Sequence, residues 1–254
     1  MISLDLSGRT ALVTGGGQGL GAITAGLLAR AGARVIVNFF EDPEGTNRER
    51  AEQTVAGIVC AGGDGSALAA DVSDSAAVEA LFQEVAVRYG ALDILVNNAG
   101  ILRDRTARNM SAAEWQAVID TNLSGVFHVC HAAIPHLADG GRIVSMASVS
   151  AVVGLFGQAN YAAAKAGVMG LTKVLSRELG KRRITVNAVA PGVVDAGMGV
   201  LIPEERRSAM LDLIPLGRFA TAEEVAGVIV FLCSDLAAYI TGQTIHVNGG
   251  WWAS

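Results

Sequence analysis

An apolar strand that runs straight into a cluster of glycines, and from there into a helix, leaves a chain few folds to choose from. Residues 10–14 read Thr-Ala-Leu-Val-Thr, and Gly15-Gly16-Gly17-Gln18-Gly19-Leu20-Gly21 follows at once, ahead of an alanine-rich helical stretch. In a βαβ unit this order puts the glycine turn at the carboxyl end of the first strand. There the backbone can approach a pyrophosphate closely, and the helix N-terminus presents unpaired N–H groups to it. The spacing is G-x-x-x-G-x-G. A purely structural turn is the plain alternative, and the strand–turn–helix setting favours the nucleotide.

The same alternation continues to the end of the chain. Strands are expected at residues 34–38, 66–70, 92–96, 142–147, 184–190 and 243–247, with helical patterns between them. Ser111 followed by Glu114, and Thr221 followed by Glu224, carry the capping-box signature of helix starts. The Ser111 helix is expected to run unbroken past Trp115, Asn122 and His128 to Leu137. Seven short strands alternating with helices specify an α/β architecture, a doubly wound Rossmann-type parallel sheet with helices on both faces. With no repeat, linker or low-complexity segment, residues 1–254 are expected to form a single dinucleotide-binding and catalytic domain.

Composition removes several function classes. A net charge of −5 argues against a nucleic-acid partner, and the basic run Lys181-Arg182-Arg183 reads as the charged end of a helix. No apolar run is long enough to span a bilayer, and no secretory signal opens the chain, so a cytoplasmic protein is expected. Three unpaired cysteines, Cys60, Cys130 and Cys233, fit reduced structural thiols, and the histidines His128, His131 and His136 lack an acid partner for a metal set.

Ligands of such a sheet bind outside the carboxyl ends of the strands. Asp71, Asn98, Ser148 and Pro191-Gly192 all fall at such ends, together with the glycine turn. Tyr161 and Lys165 stand four residues apart on the helix after the fifth strand, which places them on one helical face. An ammonium about 4 Å from a phenol, at an effective dielectric near 20, is worth on the order of 4 kcal/mol. That is enough to bring the phenol down by roughly three pKa units, toward working pH. Each residue also has a bland reading. Ser148 is one of several serines in its loop, Asn122 could be a mid-helix polar residue, and Asp71 could cap a helix. Their convergence on one edge favours a site.

With these residues in place, the chain resembles the short-chain dehydrogenase/reductase family over essentially its full length. The likeness rests on Thr14-Gly15 with Gly19 and Gly21, Asp71-Val72, Asn97-Asn98-Ala99-Gly100, Asn122, Ser148 thirteen residues before Tyr161, Lys165 and Pro191-Gly192. The resemblance implies Tyr161 as proton donor and acceptor and Ser148 as holder of the substrate oxygen. Lys165 would grip the nicotinamide ribose while lowering the phenol pKa, and Asn122 would brace a proton-relaying water. It also implies dinucleotide contacts from Gly15, Gln18, Gly19, Leu20, Gly21, Asn38, Asp71 (to adenine), Val72, Asn98, Ala99, Gly100, Pro191, Gly192 and Val194, besides Tyr161 and Lys165, and no metal. A homotetramer or homodimer is implied in the same way.

The second strand ends in Val37-Asn38-Phe39-Phe40, without an acid until Glu41. An acid there would bond a ribose 2′-hydroxyl, so its absence leans toward NADP(H), with NAD(H) open; Gln18 stands where an arginine would add support, and Arg48 or Arg50 could fold back. Within the family, Gly100-Ile101-Leu102-Arg103-Asp104 and Gly157-Gln158-Ala159-Asn160-Tyr161 look most like 3-oxoacyl thioester reductases acting on carrier protein or coenzyme A. A (3R)-hydroxyacyl-CoA dehydrogenase using NAD, and a nucleotide sensor or scaffold without turnover, are the alternatives. Ala196 replaces the family's threonine, and Ala138-Asp139-Gly140-Gly141 precedes the expected fifth strand. Residues 193–216 are expected to form a substrate lid whose Met198, Val200, Leu201, Ile202, Met210 and Leu213 suit an acyl chain or line the underside of short helices. Trp251-Trp252 is read as supporting that lid or an interface.

Overall fold

The computed structural model describes residues 4–197, 202 and 204–253. Seven parallel strands form one sheet: β1 (Thr10–Val13), β2 (Arg34–Phe39), β3 (Asp64–Ala69), β4 (Leu92–Asn97), β5 (Leu137–Met146), β6 (Thr185–Pro191) and β7 (Thr244–Val247). Their spatial order is β3-β2-β1-β4-β5-β6-β7. The order reverses between β1 and β4, so the crevice above these two strands is the topological switch point. Their register pairs Ala11 with Ile94 and Val13 with Val96.

Successive residues of a strand face opposite sides of a sheet, and the two cores follow that alternation. Ala11, Val13, Val35 and Val37 pack toward α1 (Gly19–Arg30) and α9 (Ala222–Cys233). Leu12, Ile36, Leu95 and Ile143 pack on the other face, toward α3 (Ser75–Tyr89), α5 (Gly125–Ala133) and α7 (Ala159–Glu178). Both faces of the central strands are therefore dry, as the β-branched and leucine-rich runs require.

Both expected capping boxes form. Ser111 and Glu114 start α4 (Ala112–Ile119), and Thr221 and Glu224 start α9. The expected unbroken helix from Ser111 does not form. A π turn over Asp120–Ser124 separates α4 from α5, and β5 starts at Leu137, earlier than the sequence suggested. Ala138-Asp139-Gly140-Gly141 thus lies inside β5, where Asp139 is ion-paired with Arg182 at 2.9 Å. Arg182 also donates to the carbonyls of Ile134 and Leu137, so its charge serves the fold.

Of the expected lid, residues 198–201 and 203 lie outside the described residues, among them Met198, Val200 and Leu201. The remainder contains α8 (Glu204–Leu211). Ile202 and Met210 pack on a cluster of Val193, Ile214 and Phe219, joined by Trp251, whereas Leu213 is exposed. Trp252 faces His246 with ring centroids 4.3 Å apart. Among the described residues no helix is long and apolar enough to cross a membrane.

Candidate active site

The glycine turn is shaped by close approach. Gly15 and Gly19 have φ of +61° and +53°, a region that glycine enters without strain. A Cβ at Gly21 would overlap the Gly15 carbonyl oxygen and lie 2.5 Å from Asn98 Nδ2; one at Gly15 would lie 3.0 Å from Ala99 Cα. The ends of β1 and β4 are stitched together beneath the turn. Thr14 Oγ1 accepts from the N–H groups of Asn98 and Ala99, each at 3.0 Å, and Asn98 Nδ2 donates to the carbonyls of Thr14 and Gly15 at 3.0 and 3.1 Å. The result is a concave cradle with no room for side chains. Above it, the first turn of α1 carries no side-chain cap and no acid, although Gln18 occupies the N-cap position. Those unpaired N–H groups suit a pyrophosphate.

Several residues expected to touch a dinucleotide turn their side chains elsewhere. Asn98 supports the cradle from below. Asn38 is buried and donates to the carbonyls of Leu68 and Ala70 at 3.3 and 3.1 Å, tying β2 to the end of β3. Val72 is buried in the core and lies under α5. For these residues only the main chain is left to face the crevice. Asp71 does not cap a helix; Asp74 does so for α3. Instead Asp71 Oδ1 accepts from the Ser73 N–H and hydroxyl at 2.9 and 2.7 Å and shapes the turn after β3. Gly192 donates to the Val247 carbonyl at 2.9 Å, the Pro191 carbonyl accepts from Val149 at 2.8 Å, and Val194 bridges to Ala220, which fixes the rim beyond β6.

Ser148, Tyr161 and Lys165 meet at the same edge. Ser148 stands two residues beyond β5, its Oγ accepting from the Ser150 N–H at 3.1 Å. Lys165 is buried at 3% exposure and donates to the Met146 carbonyl at 2.7 Å; its other two donors have no protein partner among the described residues. Its Nζ lies 5.6 Å from the centroid of the Tyr161 ring. Burial brings the lysine down to about 8. The tyrosine moves opposite to the sequence expectation. Burial pushes the phenol up to about 12, the neighbouring Ser148 hydroxyl opposes this, and the Asp104 carboxylate adds to it. Desolvation thus decides the direction, and Tyr161 holds its proton at neutral pH.

Asn122 lies in the π turn and is fully buried. Its Oδ1 accepts from the Ile101 N–H at 2.8 Å and its Nδ2 donates to the Ile101 carbonyl at 2.9 Å. The side chain therefore clamps the loop after β4, with both ends of its amide engaged by the Ile101 main chain. Sequence reasoning missed Asn160. It is fully buried, donates to the carbonyls of Arg103 and Glu114 at 3.1 and 3.2 Å, and accepts from the Tyr161 N–H at 2.7 Å. A polar residue at an inward position beside Tyr161 was the available signal. Among the described residues no three metal-ligating side chains gather.

The cradle, the uncapped helix end and a buried ammonium with two unused donors match what a nicotinamide dinucleotide needs. Comparison with known proteins points the same way. A family model described as "Enoyl-(Acyl carrier protein) reductase" matches residues 15–252. The chain is 47% identical over 244 residues to a 3-oxoacyl-[acyl-carrier-protein] reductase from Staphylococcus aureus, covering 95% of this chain and 97% of that protein. It is 42% identical over 250 residues to the Escherichia coli enzyme of the same name, covering 97% and 98%. Among solved structures, a short-chain dehydrogenase from Burkholderia cenocepacia in complex with NADP superposes with a TM-score of 0.91 at 37% identity, covering 98% of this chain and 99% of that one. A dehydrogenase/reductase from Sinorhizobium meliloti gives 0.93 at 36% identity, covering 99% and 98%.

Proposed function

Because the chain belongs to the short-chain dehydrogenase/reductase family and is thus an NAD(P)-dependent oxidoreductase, we propose that it reduces the keto group of a 3-oxoacyl thioester at the expense of NADPH. The observation that carries the reading is the meeting of Ser148, Tyr161 and Lys165 at the edge that holds the glycine cradle. When bound, the reduced nicotinamide supplies a hydride, which leaves negative charge on the keto oxygen. Ser148, fixed just beyond a buried strand, donates to that oxygen and orients it. Tyr161, kept protonated by burial, gives up its proton as the charge develops. Lys165 holds a ribose diol with its two unused donors, and its positive charge stabilises the phenolate left behind. Because that charge exists only after the proton leaves, the lysine favours the transition state over the resting state. A sensor or scaffold would have no use for a half-buried phenol placed beside a buried ammonium.

NADPH is favoured over NADH because β2 ends in Asn38-Phe39 without an acid; Glu41, the next acid along the chain, is engaged by Arg48. The thioester class rests on the named relatives. Self-association as a homotetramer or homodimer is supported by the outer face of α7, where Ala163, Ala166 and Gly170 are exposed beside Val174, a surface of small residues on which a second helix can pack closely. The proposal places the enzyme in the cytoplasm.

A substrate panel tests the reading. With NADPH oxidation followed optically, acetoacetyl-CoA and a longer 3-oxoacyl thioester are expected to turn over at least about tenfold more efficiently than simple ketones, one or two extra contacts being worth that much. Equal efficiency across the panel would reject the thioester assignment.

A further inference from the structure

A cation reaches the glycine turn from the next helix, α2 (Thr46–Cys60). Arg50 donates from Nη1 to Gln18 Oε1 at 2.6 Å, and both residues are exposed at the rim of the cradle. Packing imposes this approach. A Cβ at Gly17 would come within 2.9 Å of the Ala51 nitrogen, and the Thr54 hydroxyl lies 3.3 Å from the Gly17 carbonyl it donates to. The helix is therefore seated directly on the turn, and the residue before Ala51 must project over it. Arg48 is differently placed: it is paired with Glu41 and lies over the Phe39 ring, 5.4 Å from the centroid. Its charge is compensated by an acid, whereas Arg50 has a neutral amide as partner.

In a sheet of this kind the adenosine ribose of a dinucleotide comes to the end of the second strand, beside the first glycine turn. There β2 ends at Phe39, and the Asn38 amide is turned away toward β3. Gln18 uses its oxygen on Arg50, which leaves its Nε2 donors unpartnered among the described residues. The guanidinium fork and the amide group are thus two sets of donors held together. We propose that Arg50, oriented by Gln18, is the residue that recognises a 2′-phosphate monoester on the adenosine ribose. The chain lacks an arginine in the glycine turn itself, and one from α2 takes that place through Gln18. The inference rests on the dinucleotide reading above and is independent of the substrate.

The test is a fluorescence titration of the full chain with NADPH and NADH separately, in the absence of substrate. Arg50→Gln is expected to weaken NADPH about 20-fold and NADH by less than about twofold, the loss of one charge-assisted contact to phosphate. Gln18→Leu, which frees Arg50 from its support, is expected to weaken NADPH by about fivefold and to spare NADH. Arg48→Gln is the control, and it should change both by less than about threefold, as for an exposed compensated pair. Competition by 2′,5′-ADP gives the same ranking without the nicotinamide. If the wild type prefers NADPH and Arg50→Gln keeps that preference, or if Arg48→Gln abolishes it, the assignment is overturned while the cofactor reading stands. A wild type that binds NADH as tightly as NADPH overturns both.

Discussion

At the residue scale, the proposed chemistry rests on a phenol and an ammonium that burial drives in opposite directions. Lys165, down at about 8, binds fewer protons in the folded chain than in the unfolded one between pH 8 and its ordinary value of 10.5. Stability contributed by this site therefore rises with pH across that window. Relative to Lys165→Met, the wild type should gain about 1–2 kcal/mol between pH 7 and 9.5, measured by urea unfolding at each pH. An unchanged difference would mean that the lysine is not desolvated. Tyr161 enters with the opposite sign: its raised value gives stability that is present below pH 10 and lost as pH climbs toward 12. Spacing along a helix sets how near the ammonium can come but carries no measure of burial, and burial decides the direction. The same holds for Asn38, Asn98 and Asn122. Their presence at strand ends and in the helical run was legible, whereas the direction of each amide depends on neighbours from distant parts of the chain.

At the element scale, strands and caps were legible because they are local. β-Branched runs between turns locate the strands, and Ser111 and Thr221 fix the starts of α4 and α9 by bonds within one turn. The π turn at Asp120–Ser124 was not legible, since local propensity does not separate a widened turn from a regular one, and its reason is the clamp between Asn122 and Ile101. The reach of Arg50 to Gln18 likewise depends on how α2 seats on the glycine turn. Two substitutions probe these junctions. Gly21→Ala should destabilise the fold by about 1–3 kcal/mol through forced overlap with the Gly15 carbonyl, and it should weaken NADPH binding with it; an unshifted urea midpoint would show that the turn can relax. Asn160→Ala removes the tie between α7, the loop after β4 and α4. It should lower kcat about tenfold while NADPH binding stays within about twofold, as expected for misplacement of the proton donor alone. Equal losses in both would mark Asn160 as merely structural.

At the scale of the whole molecule, one rule organises the rest: a doubly wound sheet collects at a single edge whatever its strands carry at their carboxyl ends. The glycine cradle, Ser148 and the rim at Pro191 come from β1, β5 and β6, and α7 leans Tyr161 and Lys165 over them. Ligand binding at that edge is linked to global stability. NADPH at a hundred times its Kd should raise the unfolding free energy by about 2.7 kcal/mol, and NADH at the same concentration by less. The most direct test of the central claim, that Tyr161 is the proton donor of a nicotinamide-dependent carbonyl reduction, is the turnover of Tyr161→Phe on acetoacetyl-CoA, measured alongside its Kd for NADPH. We expect binding within about twofold of wild type and turnover lower by about a thousandfold, the usual worth of a positioned general acid. Turnover within about tenfold of wild type, with binding intact, would contradict the claim.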